Sequence, residues 1–314
     1  MAKIAFVFPG QGSQYVGMGK DLVAKFSYTK KFFDEANQAL GFDLQKLCYE
    51  GPEEELKKTE ITQPAILTIS AICLEAIKSF GNIKAEAVAG HSLGEYSALY
   101  AAGSLTFKDA VKLVNMRGKF MQTAVPLGEG TMAAILGLDH NVVKEICAIA
   151  SQAGAVEAAN INSPGQIVIS GKVAGVKEAG KLAKEAGAKR VIELQVSAPF
   201  HSSLMKPAAD NLAAELGHVA IKDAQIPVVS NVTADYVTIA SEIKQLLVRQ
   251  MTSPVQWEGS IMKMSADGFD TFIEIGPGKV LTGLIKKINP KSKIFNVSDA
   301  ASLGDFLGGW HPGS

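Results

Sequence analysis

Ser92 sits in Gly90-His91-Ser92-Leu93-Gly94, a Gly-x-Ser-x-Gly turn that follows the apolar run Ala87-Val88-Ala89. A serine at a sharp strand-to-helix turn stands clear of the sheet and can act as a nucleophile, and flanking glycines give the backbone the room such a turn needs. The same bend aims the backbone N–H of Leu93 at the space above the serine, where an oxyanion would form. Glu86 to Ala89 reads as the end of a buried strand, and Glu95 to Ala102 has the Ala, Leu and Tyr content of a packed helix. That context favours a nucleophile elbow over an ordinary βα turn built from small residues.

A serine nucleophile needs a base, and histidine is the side chain that titrates near neutrality. There are five. His91 shares the strained turn with Ser92 and should point away from it, into elbow packing. His140 and His218 lie in surface settings, and His311 is in a Gly/Pro-rich tail. His201 remains, on a loop stiffened by Pro199 where a helix begins, and it is the candidate base. In hydrolases with this elbow an acid follows the serine and precedes the histidine. Asp109, Glu129, Asp139, Glu145, Glu157, Glu178, Glu185 and Glu193 are not placed on a loop after a strand. A backbone carbonyl or an amide orients an imidazole equally well, because that role needs only an acceptor for the second ring N–H.

The elements that would carry these residues alternate strand and helix. Lys3 to Phe8 reads as a strand, with Pro9-Gly10-Gln11-Gly12-Ser13-Gln14 as the loop at its carboxyl end, where open α/β sheets place their chemistry. That loop meets neither the dinucleotide-binding nor the Walker spacing, so its glycines serve better to let the backbone N–H or the amide of Gln11 approach a reacting atom. Helices are expected over 21–40, over 51–80 with Thr62 or Gln63 capping Pro64, and over 106–121. Ile66, Ile69, Ile72, Leu74 and Ile77 surround the second of these, which should therefore be buried.

From Gly128 the order is strand 131–137, helix 141–153, strands 156–160 and 166–170, helix 173–186 and strand 190–196. This βαββαβ series predicts an inserted ferredoxin-like subdomain over 128–197. Residues 1–127 and 198–307 then form one large α/β domain. Its second part carries a helix from His201 to Leu216, a strand 227–231, helices 240–251 and 255–266, a strand 271–275, a helix 280–288 and a strand 293–297. Residues 308–314, with Trp310, read as a disordered tail.

Composition narrows the possibilities. The 314 residues are 47% hydrophobic and 20% charged, and 31 basic residues balance 31 acidic ones. No global field recruits nucleic acid or a membrane surface, so a charged partner must meet a local patch. Lys286, Lys287, Lys291 and Lys293 form one such cluster, and Lys181, Lys184, Lys189 and Arg190 another. Cys48, Cys73 and Cys147 have no C-x-x-C spacing, which argues against a disulfide framework or a zinc site and fits a reducing cytosol. No segment has the unbroken apolar length of a membrane span, and Met1-Ala2-Lys3 runs straight into a strand without a signal peptide.

Taken together, the blocks resemble the malonyl-CoA:acyl carrier protein transacylase family of type II fatty acid synthesis. The resemblance is carried by Phe8-Pro9-Gly10-Gln11-Gly12-Ser13-Gln14, Thr62-Gln63-Pro64-Ala65, Gly90-His91-Ser92-Leu93-Gly94-Glu95, Asn160-Ile161-Asn162-Ser163-Pro164-Gly165-Gln166, Pro199-Phe200-His201-Ser202, Asn231-Val232-Thr233 and Glu274-Ile275-Gly276-Pro277-Gly278, in the family's order. It implies an α/β hydrolase-like core, a parallel sheet flanked by helices, with a ferredoxin-like subdomain. It implies Ser92 as nucleophile, His201 as base, and the backbone N–H groups of Gln11 and Leu93 as oxyanion hole. The Gln250 carbonyl would orient His201 with Asn231 close by, which agrees with the missing acid. Arg117 would grip the malonyl carboxylate, with Gln63, Asn160, Asn162, Gln166 and Phe200 binding substrate; Phe200 resembles the malonyl-selecting members. Malonyl-CoA and acyl carrier protein would be the partners of a cytoplasmic monomer, with no metal or redox cofactor called for. Two rivals are a serine hydrolase or thioesterase with the same elbow and a non-catalytic carrier-binding module. Arg117 and the missing acid speak against the first, and an intact Ser92 and His201 pair against the second.

Overall fold

The computed structural model describes residues 2–81, 83–196 and 198–310. Its strands are β1 (Ile4–Phe8), β2 (Ala87–Gly90), β3 (Gly130–Leu136), β4 (Val156–Ser163), β5 (Gln166–Lys172), β6 (Arg190–Glu193), β7 (Val228–Val229), β8 (Tyr236–Val237), β9 (Thr271–Ile275) and β10 (Lys293–Val297). Six of them form one sheet in the order β10-β9-β1-β2-β7-β8. All its neighbours run parallel except the hairpin of β7 and β8. A parallel sheet is covered on both faces, which is why β1 and β2 read as unbroken apolar runs. Successive side chains of β1 alternate between two cores. Phe6 and Phe8 pack with Leu67, Ile72 and Ile273, whereas Ala5 and Val7 pack with Trp257, Ile261 and Leu281.

The second sheet is antiparallel, in the order β4-β5-β3-β6, and it is the ferredoxin-like arrangement. Helices His140–Ala150 and Val173–Glu185 cover one face, placing Val143, Ile146, Val176 and Ala179 on Ile135, Ile167 and Ile169. The end of β4 is stitched to the large sheet's side of the molecule. Ile161 N–H donates to Val255 O at 2.9 Å, and Val255 N–H to Ala159 O at 2.8 Å.

Several expected elements differ. The helix expected over 51–80 is broken into Glu53–Leu56 and Thr59–Lys78, and Pro64 lies inside the second rather than at its start. Pro64 has no N–H for the Glu60 carbonyl one turn back, and Asn115 Nδ2 donates to that oxygen instead, at 2.7 Å. Thr59–Lys78 is long and apolar enough to span a membrane, but 83% of its apolar window is buried, as its all-round apolar pattern predicts for a core helix. The helix expected over 21–40 comprises Lys20–Lys25, a short turn and Lys31–Leu40. His201 precedes its helix, which begins at Lys206 after the turn Ser203–Met205. The tail expected from Gly308 is instead ordered at its start, since a capped helix runs Ala300–Gly309 and takes in Gly308 and Gly309, and Trp310 lies against Phe306 and Phe295 with ring centres 5.2 and 5.8 Å away. His311 and the rest of that tail lie outside the described residues.

Candidate active site

The register of the large sheet assembles the site. β1 and β2 pair in parallel with Phe8 opposite Gly90, so the Gln11 loop and the Ser92 turn leave the same edge. The two backbones touch, since His91 N–H donates to Phe8 O at 3.0 Å. A Cβ at Gly94 would collide with the Phe8 carbonyl, and one at Gly90 with the backbone of Gly94. Both glycines are therefore demanded by close approach. Ser92 itself adopts φ 52° and His201 φ 58°, left-handed conformations that are strained for residues other than glycine and that recur at functional sites.

Ser92 Oγ lies 2.7 Å from His201 Nε2. His201 Nδ1 lies 2.9 Å from the carbonyl of Gln250, the last residue of helix Ala240–Gln250. A carbonyl only accepts, so Nδ1 carries the proton and Nε2 is left as acceptor for the serine hydroxyl. His201 is buried, and its pKa is pulled down to about 3, first by burial and then by the Arg117 guanidinium. It is neutral at neutral pH, the form a base requires.

Arg117, from helix Phe107–Thr123, is 1% exposed. Its Nη2 donates to Ser92 Oγ at 3.1 Å and to Gln250 Oε1 at 2.9 Å, and its Nη1 donates to Gln63 Oε1 at 2.8 Å. The guanidinium also lies 5.3 Å from the Tyr96 ring centre. Among the described residues, this buried cation, held beside a serine hydroxyl by neutral amides, has no directly bonded counter-anion, and an incoming carboxylate is the group that would supply one.

Asn231 holds the turn from the other side. Its Oδ1 accepts from Ser92 N at 2.7 Å and its Nδ2 donates to Gly90 O at 2.7 Å. Gln250 Nε2 donates to Ser92 O at 3.1 Å, so the amide of Gln250 takes part as well as its carbonyl. Neither that amide nor Glu95 was assigned a part from the sequence. Glu95 is 2% exposed and accepts from Gln250 Nε2 at 2.8 Å. A single acid in the largely apolar helix Gly94–Ala101, buried from Gly94 to Leu99, was the available signal.

The other expected residues divide. Gln63 joins the network through Arg117, and Phe200 is buried next to His201. Gln11 is partly exposed, with Nε2 3.5 Å from Thr59 Oγ1, and Leu93 begins the elbow helix. Asn162 contacts the elbow indirectly, its Oδ1 2.8 Å from His91 Nε2, and His91 faces Trp257 as elbow packing requires. Asn160 belongs to the junction of β4 with Val255. Gln166 is not brought to Ser92. It accepts from Lys287 Nζ at 3.0 Å on the rim of a cleft of about 450 Å³, lined also by Lys189 and Asp139. One residue from each basic cluster thus borders the same opening.

The fold that carries this site is shared with known proteins. Residues 5–308 match the acyl transferase domain family. The chain belongs to that family. It is 54% identical over 304 residues to the malonyl CoA-acyl carrier protein transacylase of Bacillus subtilis, 96% of each chain. It superposes on an acyl carrier protein S-malonyltransferase from Vibrio cholerae with a TM-score of 0.94 at 48% identity, covering 97% of this chain and 99% of that one. A malonyl-transacylase solved in complex with a holo type II PKS acyl-carrier protein matches with a TM-score of 0.95 at 46% identity, over 98% and 99% of the two chains. Among acyl transferases, then, the chain stands beside several that carry malonyl in their names.

Proposed function

We propose that the protein transfers a malonyl group from malonyl-CoA to the phosphopantetheine thiol of acyl carrier protein, supplying fatty acid biosynthesis in the cytoplasm. Three free, buried cysteines suit a reducing compartment. The carrying observation is Arg117: a buried guanidinium 3.1 Å from the candidate nucleophile's oxygen.

In the first half-reaction Ser92 Oγ attacks the thioester carbonyl while His201 Nε2 takes the hydroxyl proton. The backbone N–H groups of Gln11 and Leu93 hold the tetrahedral oxyanion. The C–S bond breaks, the CoA sulfur takes the proton from His201, and an O-malonyl serine remains. In the second, the carrier thiol gives its proton to His201, attacks the ester and expels Ser92, which takes the proton back. Throughout, Arg117 pairs with the free carboxylate of the acyl group, replacing the hydration that group loses, and Gln63 keeps the guanidinium in place. The carrier docks on the surface around Lys189 and Lys287, where basic residues of both clusters meet.

Intact-mass measurement after mixing with malonyl-CoA or acetyl-CoA tests the reading. We expect a malonyl adduct that Ser92→Ala abolishes. Arg117→Ala should lose roughly 2–5 kcal/mol of malonyl preference, the scale for breaking a buried charge pair, with acetyl transfer little changed. Equal losses for both donors would make Arg117 structural.

A further inference from the structure

Glu95 and Glu274 are both buried carboxylates whose burial raises their pKa, Glu95 to about 7. Glu274 has a local task, accepting from Leu281 N, Thr282 N and Thr282 Oγ1 at the start of helix Val280–Ile288. Glu95 does not. Its Oε2 accepts from Gln250 Nε2 at 2.8 Å and from Asn231 N–H at 3.1 Å, residues that lie far away in sequence and touch the reactive pair themselves.

Gln250 is the junction. Its carbonyl holds His201, its Nε2 also reaches Ser92 O, and its Oε1 accepts from Arg117. A glutamine amide can turn about its last bond and exchange oxygen for nitrogen. Its neighbours forbid that here, since Ser92 O, Asn231 Oδ1 and Glu95 face its nitrogen and Arg117 its oxygen. The carboxylate of Glu95, when ionised, only accepts and so takes the nitrogen side, whereas the guanidinium of Arg117 only donates and so takes the oxygen side. Remove the carboxylate and the nitrogen side loses its closest acceptor, leaving Ser92 O at 3.1 Å and Asn231 Oδ1 at 3.4 Å; the amide is then held less firmly, and so is the guanidinium it braces beside Ser92. Tyr96 and Gln63 then remain as its neighbours.

We propose that Glu95 is a positioning residue for malonyl selection, fixing the orientation of the Gln250 amide and thereby holding Arg117 over Ser92. The inference rests on the role assigned above to Arg117. A residue needed only for stability would affect every acyl donor alike; this one acts on the donor that carries a carboxylate.

The test compares single-turnover acylation of Ser92 by malonyl-CoA and acetyl-CoA, read by intact mass, in Glu95→Met, Glu95→Gln and Arg117→Ala, with melting temperatures in parallel. Glu95→Met keeps the volume and removes the acceptor, so malonyl acylation should fall roughly 10- to 100-fold more than acetyl acylation, as for a lost hydrogen bond to a charged group. Glu95→Gln keeps a weaker, neutral acceptor and should cost malonyl about three- to tenfold more than acetyl. Adding Glu95→Gln to Arg117→Ala should leave the malonyl-to-acetyl ratio where Arg117→Ala alone put it. Should Glu95→Met not fold, Glu95→Gln decides. Equal losses for the two donors, or Glu95→Gln indistinguishable from the parent with both, would overturn the proposal. If Arg117→Ala is malonyl-selective and the Glu95 variants are not, Glu95 alone is wrongly assigned. If Arg117→Ala is itself unselective, the reading of Arg117 fails and takes this one with it.

Discussion

A buried histidine beside a buried arginine keeps its lone pair far into acid. Burial and the Arg117 charge both disfavour the imidazolium of His201. Because its pKa is lowered, the base stays neutral as pH falls through the usual histidine range and is lost only as the lowered value is approached. The rate of acyl-serine formation from acetyl-CoA should therefore hold between pH 7 and pH 5, where an ordinary histidine would have cost most of it. Arg117→Ala removes one of the causes, so the acid limb for acetyl should move to higher pH; a limb that does not move would show that the arginine has no electrostatic hold on the base. His201→Ala should slow acylation by several orders of magnitude, leaving a residual rate from the oxyanion hole. Ser92 and His201 were legible in the sequence because each announces itself locally, one by flanking glycines and one by its loop after Pro199. Glu95 was not, because its partners stand 136 and 155 positions away and no local pattern encodes such a meeting.

At the level of elements, the elbow depends on backbones packed closer than any side chain permits. Gly94→Ala would drive a methyl group into the Phe8 carbonyl of β1, an overpacking expected to cost about 1–3 kcal/mol. It should lower the urea midpoint and also abolish the malonyl adduct by tilting Ser92; an adduct formed at the parental rate would refute the fit of turn to strand. Here the sequence was informative about type and less so about limits. Ile4–Phe8 was readable from an unbroken apolar run, and Thr271–Ile275 from an apolar run interrupted by Glu274. The two-residue strands Val228–Val229 and Tyr236–Val237 were legible only in part, the second not at all, since so short a pairing exists by virtue of its neighbour. Pro64 misled because proline ordinarily opens a helix, and the compensating donor, Asn115, comes from another helix.

For the whole molecule, a chain with no net charge can attract a charged carrier only through a local patch. Lys189 comes from the second sheet's side and Lys287 from helix Val280–Ile288, and they border one cleft. Reversing both, Lys189→Glu with Lys287→Glu, should raise the KM for carrier protein at low ionic strength and leave self-acylation by malonyl-CoA nearly unchanged. Salt should shrink the difference, because exposed charges are screened over about 10 Å at 0.1 M. An unchanged KM at low salt would place the carrier elsewhere. The two lysine groups were visible in the sequence as separate patches; their adjacency required the fold.

The order in which the site is spelled along the chain bears on its own synthesis. Ser92 and Arg117 come early and His201 later, but the carbonyl that turns the imidazole and the amide that braces the arginine both belong to Gln250, and β9 and β10 beside β1 come later still. A ribosome that has threaded only the first 249 residues has made a chain whose serine is an ordinary alcohol, with no oriented base and a sheet missing one flank. Reactive thioesters in the surrounding solution therefore meet no oriented base until Gln250 has joined the fold, so reactivity waits on a residue that lies 158 positions beyond the serine it serves.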